Sequence, residues 1–260
     1  MPEVTIDASQ GARTSSTAST PGSWDSSHDQ TTAGSITTTN QAGGGWTVGV
    51  GYSGYAGGTY YIYRALLDFD LSDIPAGSSI NSAKLKIYGA NITSPHFSIA
   101  VNETDFIILK GTFTDGSTLA TSMVDEFEGF QAGWDGTDAG IIEYTDEITS
   151  WNDSAYNEIT LNSTARTDIA ARAGSSTRLA CLIMNHDHDY HDNINGENGS
   201  AVNATYDYWK INFNINPSSA NPPQLVVDYV EADISVEEKT KLTAKSGILK
   251  VKGGNLKIGT

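Results

Sequence analysis

The chain has 260 residues and a formal net charge of −16, from 15 Lys and Arg against 31 Asp and Glu. That length is enough for one large β domain or two ordinary ones. The acidity argues against a general nucleic-acid binder, which needs clustered Lys and Arg for phosphate contacts. Only 18% of residues are charged. With Gly, Ser, Thr and Asn plentiful, polar turn-rich β structure is expected over long helices, and no run approaches the roughly 18 apolar residues of a membrane span.

Met1 to Asp7 lacks a basic and an apolar region and is not read as a secretory signal. Residues 8–45 are dominated by Ser, Thr, Gly and Ala. Such a segment is ordered only if something ties it down, so residues 1–45 are expected to form loops and short strands lying on a sheet or on a neighbouring subunit. Strand signals follow in series. Trp46–Tyr52 is the first, and Tyr61–Leu71 the next, with Tyr61, Tyr63, Ala65, Leu67, Phe69 and Leu71 on one face. Ala83, Leu85 and Ile87 alternate with Lys84, Lys86 and Tyr88, the half-buried period of two. Phe97–Val101, Phe106–Leu109, Gly140–Tyr144 and Glu158–Leu161 are shorter candidates. Arg178–Met184 is nearly all apolar and reads as a central strand; Trp209–Ile215 and Leu225–Tyr229 alternate again. One helix is expected where Asn162 or Ser163 can cap, Ala165, Ile169 and Ala170 form a stripe, and Gly174 can end it. A helical turn is expected near Ser122–Phe127.

This pattern predicts an all-β fold: an antiparallel, jelly-roll-type β-sandwich over residues 46–230, with one or two short helices and extended terminal arms. Leu67, Phe69, Leu85, Ile87, Ile183, Ile211, Phe213 and Val227 are its expected core. The lone cysteine, Cys181, lies in the apolar stretch Leu179–Met184 and reads as a buried, inert thiol.

Residues 231–260 change character. Six lysines and no acid follow Glu238, so residues 239–260 carry +6 against −22 for the rest. Leu249, Val251, Leu256 and Ile258 flank a Gly253-Gly254-Asn255 turn. The segment is expected to be a basic β-arm that adds to a sheet edge of another subunit.

Arg64-Ala65-Leu66-Leu67-Asp68-Phe69-Asp70-Leu71-Ser72-Asp73-Ile74-Pro75-Ala76-Gly77-Ser78, running into Ile80 and Ala83-Lys84-Leu85-Lys86-Ile87-Tyr88, resembles a characteristic stretch of DNRLRE-type and disaggregatase-related domains. Pro222-Pro223-Gln224-Leu225-Val226-Val227-Asp228-Tyr229 looks like the closing strand of the same family. The resemblance covers roughly residues 40–230 and implies a carbohydrate-binding-module-like β-sandwich, of a kind found in bacterial and archaeal surface proteins, polysaccharide lyases and bacteriophage virion proteins. It specifies fold, and Arg64 within it reads as an ion-pair partner for a neighbouring carboxylate.

Two groups of residues carry site chemistry. Asn185-His186-Asp187-His188-Asp189-Tyr190-His191-Asp192-Asn193 holds three of the five histidines. Asp187, Asp189 and His188 are its candidate metal ligands: an oxygen-rich loop suits Ca²⁺, which members of this general fold often carry, and paired His suits Zn²⁺ or Ni²⁺. The competing reading is a solvated acidic loop. Trp134, Tyr52, Tyr55 and Tyr190 are candidate platforms for sugar rings, whereas Trp46 and Trp151 read as core anchors. No nucleophile–base pair is evident. A lyase using Tyr208 and Lys210 is disfavoured because Lys210 alternates outward on an ordinary strand. Six Asn-x-Ser/Thr sequons, beginning at Asn91, are expected by chance in such a composition.

The expected function is therefore that of a non-enzymatic bacteriophage structural protein, a capsid decoration, head-fibre or tail-associated protein on the virion surface. Its partners would be other virion proteins or copies of itself, together with host or environmental glycans. The alternative is an extracellular carbohydrate-binding module of a surface protein or polysaccharide-degrading enzyme.

Overall fold

The computed structural model describes residues 2–17, 24–30, 32–37, 46–53, 59–89, 105–113, 118–128, 140–192 and 206–232. Strands form where apolar and polar residues alternate, as over Ser79–Tyr88 and Gln224–Val230, and along the nearly continuous apolar run of Leu179–Asn185. They are β1 (Glu3–Asp7), β2 (Gln10–Thr17), β3 (Ser35–Thr37), β4 (Trp46–Ser53), β5 (Thr59–Phe69), β6 (Ser79–Tyr88), β7 (Phe106–Lys110), β8 (Tyr156–Thr160), β9 (Leu179–Asn185), β10 (Tyr206–Phe213) and β11 (Gln224–Val230). Two helices, α1 (Trp24–His28) and α2 (Ser163–Arg172), interrupt them. Thr121–Asp125 forms a 3₁₀ turn, and His186–Tyr190 a π-helical turn.

The strands make two antiparallel sheets, an all-β sandwich. One runs β1-β11-β6-β8; the other runs β10-β4-β5-β2-β3, with β9 and then β7 added beside β5. β5 organises the second sheet. Its one edge pairs with β2 from Gln10↔Asp68 to Thr17↔Tyr61. Its other edge serves β4 through Tyr63 and β9 from Ala65 onward.

The main core lies between the sheets. Seven of the eight expected core residues are buried there: Leu67, Phe69, Leu85, Ile87, Ile183, Phe213 and Val227. The Ile211 side chain lies outside the described residues. Ala165 and Ile169 of α2 close one side of this core. The helix starts where Asn162 Oδ1 accepts from the Ala165 amide at 3.1 Å and ends at Gly174, whose φ of 68° suits a residue without Cβ.

A second core covers the opposite face of the larger sheet. Leu66, Ile107, Leu109, Ala180, Leu182 and Met184 pack there beneath Phe113, Leu119, Met123 and Phe127. β5 and β9 are thus buried on both faces, and every residue of β9 is buried, as its apolar sequence predicts. Cys181 is among them, and burial pushes its thiol up to about 12.

The N-terminal segment forms short strands as expected, but the sandwich extends back past its expected start at residue 46. β1 and β2 lie within the sheets, so the sandwich begins at Glu3. The signal was masked because β2 buries hydroxyl residues, Thr14, Ser15 and Ser16, where a strand ordinarily buries large apolar ones. Thr14 Oγ1 donates to the Arg64 carbonyl at 3.3 Å, satisfying itself within the ladder. Gly11 is required because a Cβ there would sit 1.9 Å from the Ile215 carbonyl oxygen. The stretch Gly140–Tyr144 is not a regular strand; it joins β7 only through a bridge at Leu109↔Glu143. Phe97–Val101 and the arm residues Leu249, Val251, Leu256 and Ile258 lie outside the described residues.

Candidate functional site, the polar turn after strand β9

β9 ends at Asn185, whose side chain fixes the following turn. Its Oδ1 accepts from the His188 amide at 2.8 Å, and its Nδ2 donates to the Asp105 carbonyl at 3.0 Å. The His191 amide then reaches back to the His186 carbonyl at 3.3 Å, a wide i→i+5 turn of the kind that recurs at functional sites. Asp192 follows in the left-handed region at φ 46°, which Asp tolerates better than most residues.

The turn sends Asp189 and Asp187 to different partners. Asp189 goes inward and is fully buried. Arg64 Nη2 and Nε donate to its two oxygens at 2.7 and 3.0 Å, and Arg64 Nη1 donates to the Val124 carbonyl at 3.0 Å. Burial alone would disfavour the guanidinium charge, but Asp189 outweighs it and raises the Arg64 pKa. This is the carboxylate partner that the Arg64 motif predicts. His28, from α1, donates through Nε2 to the Asp189 carbonyl oxygen at 2.8 Å, since a carbonyl only accepts. Its Nδ1 lies 2.8 Å from Asp29 and 3.2 Å from Asp192. Trp24 stacks on His28 and donates to Asp192 at 2.5 Å. Burial, the largest influence, raises the Asp192 pKa.

This arrangement corrects the expected metal set. Asp189 is committed to Arg64, and a carboxylate that already neutralises a buried cation is a poor ligand for a second one. His188 is buried and does not share the outward cluster. Among the described residues, Asp187 is the one expected ligand that groups with other candidates, Glu147 and His186, with donor atoms within 4.8 Å of one another. His186 Nδ1 lies 3.2 Å from Asp187 Oδ1 and 3.9 Å from Glu147 Oε1.

On the outward side, Tyr190 stacks on His186 at 5.5 Å and donates its hydroxyl to Glu143 at 2.5 Å. Burial, and then Glu143, push the phenol pKa well up. One face of Tyr190 is therefore occupied by an imidazole, so the ring is not the open sugar platform expected of it. Trp134 and Tyr55, and the side chain of Tyr52, lie outside the described residues. Trp151 wedges between Phe106 and Phe213, a core anchor as expected.

Beside this cluster runs a groove of about 540 Å³ between residues 145–150 and the edge strand β8. Its lining is hydroxyl-, amide- and carboxylate-rich, with Thr149, Tyr156, Asn157, Glu158 and Thr160 among it, and Glu147 belongs to both groove and cluster. A volume of this size is ordinary for a small-ligand site. Sequence reasoning missed Trp24, His28, Glu143 and Glu147. Each is an unremarkable residue in a polar stretch, brought to the turn by distant pairing. No protein-family model matches the chain, and no curated protein sequence matches it significantly.

Proposed function

We propose that the chain is a non-enzymatic structural protein of a bacteriophage particle, a capsid decoration, head-fibre or tail-associated protein. It displays its sandwich on the virion surface. The observation that carries the reading is the placement of the two family-like stretches. The first forms β5, the following turn and β6; the second forms β11; and β6 and β11 pair from Gln224↔Lys86 onward. Two motifs about 140 residues apart are thus one structural unit, which supports the likeness to glycan-binding-like modules used as display scaffolds.

The glycan-binding part of the reading rests on the groove along β8. Its hydroxyl, amide and carboxylate lining suits sugar hydroxyls. The same groove favours the second reading, a carbohydrate-binding module of a bacterial surface protein or a polysaccharide-degrading enzyme. With residues 3–17 built into the sheets, docking to other virion proteins or to copies of this chain falls to the basic residues 239–260. The test is to probe density-purified phage particles with an antibody to this chain, alongside a form lacking residues 239–260. The virion reading expects the full chain in the particle fraction and the shortened chain, still folded, outside it. A full-length chain found only free or on bacterial surfaces would refute it in favour of the module.

A further inference from the structure

The cluster beside the groove has a composition and geometry that nothing in the display role requires. His186 Nδ1 faces two carboxylates, Asp187 at 3.2 Å and Glu147 at 3.9 Å. Two bonds of about 2.0–2.2 Å meeting at a tetrahedral centre place their donor atoms about 3.4 Å apart, so these separations bracket a common ion. The other ring nitrogen, His186 Nε2, lies 3.3 Å from His191 Nε2. One of these two nitrogens must carry the hydrogen. Without an ion, Nδ1 donates to the Asp187 carboxylate, which only accepts; an ion bound there takes the Nδ1 lone pair and leaves the ring hydrogen on Nε2, facing His191.

That is the pattern of a metal-binding imidazole, which donates its far N–H to a partner that fixes its tautomer and orientation. The π-helical turn sets it up by bringing residues five apart together, the two rings being 4.6 Å apart and perpendicular. Tyr190, stacked on His186 and anchored by Glu143, holds the ring from its face.

We propose that His186, Asp187 and Glu147 bind one divalent transition-metal ion, with Zn²⁺ the best-matched probe, and that His191 acts as the positioning partner of His186. One imidazole and two carboxylates suit Zn²⁺ or Mn²⁺, whereas Ca²⁺ calls for six to eight oxygens. Glu147 faces the groove, so a fourth coordination position opens toward it and can take water or a ligand oxygen. The site is independent of the virion reading, because it rests on the turn and Glu147 alone.

The test uses the full chain without an affinity tag, stripped with chelator and titrated with Zn²⁺ by calorimetry, with melting temperature followed in parallel. The expected result is one equivalent bound and a melting temperature that rises with free Zn²⁺, by linkage. Glu147→Gln alters a partly exposed side chain and should leave the metal-free melting temperature unchanged while weakening Zn²⁺ at least tenfold. His191→Phe should weaken it by about 10–100-fold, as loss of a positioning partner does. Absence of saturable binding, Zn²⁺ affinity unchanged in Glu147→Gln, or Ca²⁺ bound as tightly as Zn²⁺ would each overturn the proposal.

Discussion

Asp189→Asn tests the central packing argument most directly. Arg64 is 1% exposed, and its guanidinium makes three contacts of 2.7–3.3 Å to Asp189 and one of 3.0 Å to the neutral Val124 carbonyl. The substitution removes the balancing charge and turns one amide donor toward the guanidinium, leaving its hydrogen bonds to neutral oxygens alone, that of the new amide and that of Val124. Breaking such a pair from one side costs about 3–5 kcal/mol. At about 2–4 °C per kcal/mol for a domain of this size, the melting temperature should fall by roughly 6–20 °C. Urea unfolding gives the free energy, and the loss should persist in high salt because the pair is shielded from solvent. Replacing both partners by apolar residues, Arg64→Met with Asp189→Leu, should harm the fold less than the two single losses added together, since no charge is then stranded. A single substitution costing under about 1 kcal/mol, or a double loss equal to the sum, would refute the reasoning.

Phe69→Ala and Leu67→Ala, both fully buried between the sheets, should cost about 3–5 and 2–5 kcal/mol in urea unfolding. Gly11→Ala should be unusually harmful for so small a change, about 1–3 kcal/mol or more, because the new methyl meets the Ile215 carbonyl. Asp168 titrates below the ordinary carboxylate range: burial pushes it up, but hydrogen bonds from Tyr144, Arg172 and Lys110 outweigh that. Its contribution to stability is therefore complete above the unfolded value near pH 3.9 and lost as pH falls through the lower folded one. Asp168→Asn should flatten the acid side of a melting-temperature-against-pH curve, and an unchanged acid limb would count against the assignment.

Where one face of a strand is apolar and the other charged, the sequence is readable directly. Ala83, Leu85 and Ile87 point inward while Lys84 and Lys86 reach Glu158 across the neighbouring strand. α2 is as plain, because its cap, stripe and terminal glycine are all local. β2 is hidden because its buried face is made of Thr and Ser, which composition assigns to loops. The polar turn is half legible. Its histidines and aspartates announce a site, but which carboxylate faces a cation and which faces outward is decided by Arg64, 125 positions from Asp189. Glu147 joins His186 only because residues 142–148 run along β7, a pairing with no local signature.

β1 pairs with β11, Glu3 lying opposite Asp228, and the Tyr229 amide reaches the Pro2 carbonyl at 3.2 Å. β1 therefore leaves a ribosome about 220 residues before its partner β11. At about 5–20 residues per second, that delay is on the order of ten to fifty seconds for β1, whereas β2 meets its partner β5 much sooner. The same adjacency makes the sandwich a natural subject for circular permutation, with Pro2 joined to the end of β11 by a short linker and new ends opened in an exposed turn such as Ala76–Gly77.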